Sequence, residues 1–139
     1  PESASTSEYV ARVLALAEED PTNFETTFGA QVAASHQSAD ALRNEDSAGF
    51  LRGLRAQHEA LLELGKHAKL PIVLPSVERL HRTLPTDACF IPSGAGGGDV
   101  SLYVGFDRSP SSFRDEATGL GMHRLTLGLD AAGSGPIVD

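Results

Sequence analysis

The sequence predicts a two-layer α+β domain, with helices gathered in the first half of the chain and a small antiparallel sheet in the second. Two observations carry that expectation. Before Lys69 the apolar residues recur at helical spacing in three successive stretches, and beyond it the period changes to strict alternation, with Val100, Leu102 and Val104 against Ser101, Tyr103 and Gly105. A third observation sets the size: 139 residues with a single cysteine make one domain. A chain of that length buries roughly 68–70% of its unfolded surface without a disulfide scaffold.

Each element has a local reason. Ser5-Thr6-Ser7-Glu8 is a capping box, which predicts a first helix from Ser5 to about Glu19. Asp20-Pro21 then breaks the chain, and Thr22-Asn23-Phe24-Glu25 repeats the signal for a second helix. Phe24, Phe28, Val32, Ser35, Ala39 and Leu42 share one face of it. Asn44-Glu45-Asp46 ends that helix, and a third from Ser47 to Ala68 presents Phe50, Leu51, Leu54, His58, Leu61, Leu62 and Gly65 on one face, antiparallel to the second. Pro71-Ile72-Val73-Leu74-Pro75 leads into a short helix from Ser76 to about Thr83. Strands are predicted over Cys89–Ile91, Val100–Gly105 and Leu125–Leu129, with another helix from Ser109 to about Thr118. Phe24, Phe28, Val32, Leu54, Leu61 and Leu62 are the predicted helical core.

Charge and composition exclude several functions. Nineteen acidic against eleven basic residues give a net charge of −8, and no two basic residues are adjacent. That argues against nucleic acid as a partner, because phosphate-backbone affinity needs clustered Lys and Arg. No run approaches the ~18 apolar residues of a membrane span. The lone Cys89 points to a reducing compartment, which makes a cytoplasmic location the expectation. The opening Pro-Glu-Ser-Ala-Ser, with no initiator Met or signal pattern, reads as a piece of a longer protein.

The segment Ser93-Gly94-Ala95-Gly96-Gly97-Gly98-Asp99 demands a special explanation. Four glycines in five residues lose much conformational entropy on folding, and the usual return is backbone at positive φ or backbone too close to a ligand for any Cβ. A dinucleotide fingerprint fails, because Asp99 stands where its third glycine belongs and a strand follows rather than a helix. A Walker A loop fails too, since no lysine follows Lys69. Two readings remain: a turn between strands, or a nest of amides that holds an anion.

This segment resembles the third conserved motif of the GHMP kinases, the superfamily of galactokinase, homoserine kinase, mevalonate kinase and phosphomevalonate kinase. Its Gly-Gly-Gly-Asp ending is most similar to the phosphomevalonate kinase version. Ser3-Ala4-Ser5-Thr6-Ser7 is similar to the serine-rich entry into that family's C-terminal domain, and the helical hairpin and Leu74-Pro75-x-x-x-x-Leu80 stand where the family has them. The resemblance covers nearly the whole chain, as the C-terminal half of such an enzyme with a ferredoxin-like-related fold. It implies a kinase of the mevalonate pathway and isoprenoid biosynthesis that phosphorylates 5-phosphomevalonate, with ATP and Mg²⁺ held mainly by an N-terminal domain of the same protein. It also implies substrate or phosphate contacts from Ser5, Thr6, Ser93, Gly94, Ala95, Gly96, Gly97, Gly98 and Asp99, and no catalytic residue in this half. One position departs from the pattern: Ile91 stands where the family commonly carries a lysine.

Other candidates have plainer readings beside the functional ones. Ser5 and Thr6 are either a simple N-cap or a cap that also holds an anion at a helix N-terminus. Asp99 is either a turn residue or a polar group facing substrate. His36, His58, His67, His81 and His123 lack metal-ligand spacing and read as helix-face and surface residues, so no metal is expected. Cys89 reads as a small core residue. In the parent family another strand precedes the Ser-Ala-Ser-Thr segment, and an edge left open by its absence would favour a homodimer. The alternative functions are a kinase for mevalonate or another small alcohol, and a non-catalytic ligand-binding or dimerising module on the same fold.

Overall fold

Capping chemistry sets the helix boundaries. In the computed structural model, which describes residues 6–94, 96–98 and 100–125, α1 runs Thr6–Glu19. Ser5, and with it one half of the first capping box, lies outside the described residues. Asp20 forms a one-residue joint: its carboxylate accepts from the Asn23 N–H at 3.2 Å and caps α2, Pro21–Arg43. The expected cap at Thr22 is thereby corrected. Pro21 sits in the first turn, where its missing N–H breaks no bond, so it opens the helix instead of delaying it.

α3 spans Ser47–Ala68, as expected. The Asp46 carboxylate accepts from the Gly49 N–H at 2.8 Å at its start. At its end Lys69 turns left-handed (φ 56°) and the Leu70 N–H reaches back to the Gly65 carbonyl at 2.8 Å, a Schellman closure. A Cβ on Gly65 would stand 2.7 Å from the Leu70 carbonyl oxygen, so this reversal requires glycine there.

α2 and α3 are antiparallel, with Ala41 beside Gly49, Ser38 beside Gly53, and the Gln31 amide donating to the Gln57 carbonyl. The buried face of α2 is Thr27, Ala34, Ser38 and Ala41. The expected apolar face is therefore rotated by about one residue. Phe28 (48% exposed), Val32 (41%) and Leu42 (60%) lie outside, which corrects the core assignment of the first two. The cause is a close crossing. A Cβ on Gly53 would meet the Ser38 backbone nitrogen at 2.9 Å, so only small residues of α2 can face α3. Phe24, Leu54, Leu61 and Leu62 are half-buried at the margins of the clusters.

α4 (Pro75–Arg82) precedes β1 (Ala88–Pro92), which pairs antiparallel with β2 (Ser101–Gly105) from Ala88 opposite Gly105 to Pro92 opposite Ser101. Every β1 residue is buried, with α3 and α4 packed against the strand. α5, Ser111–Gly119, starts after Pro110, two residues later than Ser109. Phe113 from α5 meets Phe90 edge-on, with ring centroids 5.1 Å apart. Val73, Val77, Leu80, Leu84 and Ala88 complete that core. Leu125 is exposed and outside any strand, and the rest of the expected last strand, 126–129, lies outside the described residues. Among the described residues the result is a small α+β fold with a two-stranded antiparallel sheet packed by helices.

Candidate functional site

β1 delivers the chain into the glycine loop. Its stem is closed by the Ser93 N–H, which donates to the Val100 carbonyl at 2.9 Å. Gly94, Gly96, Gly97 and Gly98 have φ of 76°, 85°, 83° and 111°. All four sit in the region that L side chains rarely enter, so the density of glycine has a direct conformational cause. Ala95 and Asp99, both singled out in the sequence, lie outside the described residues.

Conformation is only half of the reason. The loop folds down onto the segment between α3 and α4, where the Gly97 N–H donates to the Ile72 carbonyl at 3.3 Å. A Cβ on Gly96 would collide with that same carbonyl oxygen and stand 3.0 Å from the Ile72 carbonyl carbon and Cα. A Cβ on Gly98 would lie 2.5 Å from Cδ1 of Leu74. Gly94 differs, with nothing within 4 Å of its hypothetical Cβ. Gly96 and Gly98 are thus glycine because the loop is pressed onto Ile72 and Leu74. Gly94 and the exposed Ser93 face open space.

The same short segment receives the first turn of α1. Thr6, its first residue, is exposed; one turn on, the Tyr9 hydroxyl approaches the Pro71 carbonyl at 3.5 Å, and its buried ring packs with Ile72, Leu64 and Ala68. Tyr9 of α1 and Gly96, Gly97 and Gly98 of the loop therefore meet on Pro71–Leu74, while the predicted Thr6, Ser93 and Gly94 are exposed or face open space. Sequence reading missed this anchor. Its signal was the extended Pro-Ile-Val-Leu-Pro stretch, long for a simple connection. Beside it lies a shallow cleft of about 390 Å³, lined by Leu62, Gly65, Leu70 and Val73 among others and by Lys66 and Lys69, the two lysines of the chain. Ile91, at the family's lysine position, is buried against Leu51 and Cys89, so β1 delivers no cation to the loop.

A second cluster lies under β1. His58 of α3 and His81 of α4 are 1% and 2% exposed. Their rings stack at 3.7 Å with planes 7° apart; both are helix-face histidines, as expected, but their burial corrects the expectation of a surface position. Nδ1 of His81 is 3.0 Å from the Phe90 carbonyl oxygen and 3.3 Å from the Phe90 nitrogen. We assign the shorter contact as donation by Nδ1–H. His58, Glu59 and His81 bring ligand atoms within 4.8 Å of one another. A metal ion sits in the plane of each imidazole that binds it, and parallel rings 3.7 Å apart share no such point, so this stack does not suit one. Cys89 is buried 3.9 Å from His81 Nδ1. Desolvation pushes its thiol up to about 11, so it stays protonated and is a core residue rather than a nucleophile.

Comparison with known proteins adds the fold. No family model and no curated protein matches the chain. Among solved structures, a Lin0012 protein from Listeria innocua superposes with a TM-score of 0.78 at 22% identity, covering 88% of this chain. This chain spans 35% of the length of that protein. At this identity the likeness establishes a shared fold.

Proposed function

We propose that the chain is the C-terminal, substrate-side domain of a GHMP-type small-molecule kinase, closest to phosphomevalonate kinase, which phosphorylates 5-phosphomevalonate to 5-diphosphomevalonate. The observation that carries this reading is the glycine loop: four left-handed glycines at the end of a fully buried strand, with Gly96 and Gly97 held against the Ile72 carbonyl. In a loop of this kind, the backbone N–H groups that are not bonded within the fold form an anion-holding concavity. In this role Gly94 and the exposed Ser93 side chain meet the acceptor's phosphate, while the Ser93 and Gly97 N–H groups, already bonded to the Val100 and Ile72 carbonyls, fix the shape of the loop, and Thr6 adds a hydroxyl from the first turn of α1.

Among the described residues no feature implies a nucleotide or Mg²⁺ site. The glycine loop leads into a strand rather than a helix N-terminus, and the one cluster of potential ligands is a buried imidazole stack unlike the oxygen sites Mg²⁺ prefers. This reading assigns ATP and Mg²⁺ mainly to an N-terminal kinase domain of the same protein. The protein of similar fold is about two and a half times as long, which leaves room for such a domain. A cytoplasmic location and a homodimer through an open sheet edge form part of the same proposal. Among the described residues no helix is long and apolar enough to cross a membrane.

A second reading, a non-catalytic ligand-binding or dimerising module on this fold, draws on Ile91. Its burial with Leu51 and Cys89 removes the cation that the family places beside the loop.

Kinetics separate the two. The chain alone is expected to form no diphosphomevalonate, because half a cleft lacks the effective molarity on which phosphoryl transfer relies. In a full-length parent, Gly97→Val should lower kcat/KM for the phosphorylated acceptor by more than tenfold beyond any loss of folded protein. Wild-type kinetics from the folded fraction of that variant would remove the loop from the active site.

A further inference from the structure

We propose that the stacked His58–His81 pair is an acid-sensitive latch, which holds α4 and β1 against α3 only while both imidazoles are neutral. The geometry is that of a joint. His58 comes from the middle of α3 and His81 from the last turn of α4, and His81 Nδ1 meets the Phe90 backbone of β1. Three elements thus meet at two side chains that solvent scarcely reaches. β1 leads directly into the glycine loop, so whatever unseats the strand also displaces that loop's stem.

The Phe90 backbone favours the charged form of both rings, but burial outweighs it. His58 Nδ1 and His81 Nε2 are buried without a hydrogen-bond partner, so a proton added at either would sit as an uncompensated N–H. The surrounding charges are Arg55 and Glu59 from α3 and Arg82 from α4, while β1 contributes the neutral Cys89 thiol. Arg55 is fixed close by, donating to the Ala88 carbonyl at 2.6 Å and the Pro85 carbonyl at 3.2 Å. Glu59 is exposed and offsets the cations only weakly. Protonating one ring places its charge 3.7 Å, ring to ring, from the other.

Burial is the main cause that pushes His58 down to about 4, followed by the charge of His81 and then Arg55; His81 is lowered as well, again chiefly by burial. The unfolded chain takes up these protons near pH 6.5, whereas the folded chain resists them. Stability is therefore complete above pH 6.5 and is lost as pH falls towards 4. For His58 alone the folding equilibrium should fall about a hundredfold between pH 7 and pH 4.

The test combines imidazole NMR titration of the chain with urea melts at half-unit steps from pH 7.5 to 4, on wild type and His58→Phe. The Phe ring preserves the stack and cannot be protonated. Expected are a His58 ring that remains neutral at pH 5.5, and a fall in wild-type stability with pH that is shallower by about one proton in the variant. Hydrogen exchange at Phe90 and Val104 should accelerate over the same range. A His58 that titrates near 6.5 in the folded chain, or equal acid limbs for the two proteins, would overturn the latch. Should His58→Phe fail to fold, the wild-type ring titration and exchange data decide alone.

Discussion

Gly96→Ala is expected to destabilise the domain by about 2–4 kcal/mol, near the upper end of single-substitution effects. Two causes act together. At φ 85° an L side chain is strained wherever it stands, and here the new methyl would also meet the Ile72 carbonyl, a backbone atom with no rotamer to escape into. Gly94→Ala isolates the first cause, because its φ of 76° is similar while its Cβ would enter open space, and it should cost only about 1 kcal/mol. Gly98→Ala should fall between them, since what it meets is the mobile end of Leu74. Denaturant melts of the three variants read the order directly. Equal losses at Gly94 and Gly96 would mean that the loop does not rest on Ile72.

Leu80→Ala should remove about 3–4 kcal/mol. Leu80 is 0% exposed and clusters with Val77 and Leu84 from its own side of the core, Phe90 from β1 and Phe113 from α5. Its truncation leaves a void lined by rings already locked edge-on, which have little freedom to collapse into it. Leu80→Met, close in volume, should cost under about 1.5 kcal/mol and shows whether volume or shape is limiting. Domains of this size have a total stability of about 5–15 kcal/mol, so the alanine variant should show a clearly lowered urea midpoint with an unchanged slope.

What could be read in advance was local. The span of α3 was visible from the Asn44-Glu45-Asp46 break before it and its helical period, and β1 and β2 as an apolar run and an alternation; the Asp46 cap and the Gly65–Leu70 reversal emerged only in the structure. The glycine loop was conspicuous because left-handed backbone requires a particular residue. Its partner was not, since the carbonyl of Ile72 leaves no mark in a sequence. The face of α2 was misread for a related reason: Phe28, Val32 and Leu42 form the more apolar stripe, but Ser38 and Gly53 decide which side can come close. Nothing in the spacing of His58 and His81 shows that they stack, because their meeting depends on how α4 returns across α3.

The α2–α3 seam has a consequence for how the domain tolerates change. Ala34, Ser38, Ala41, Gly49 and Gly53 bring almost no side-chain rotamers to that crossing, so forming it sacrifices little side-chain entropy. The same economy leaves nothing there that can swing aside. A saturation scan should find the seam intolerant of any added carbon, while the large exposed side chains on the outer surface of the same helix, Phe28, Val32 and Leu42, accept polar replacements freely. The stretch that looks most hydrophobic would then be the most permissive, and its blandest residues the most constrained.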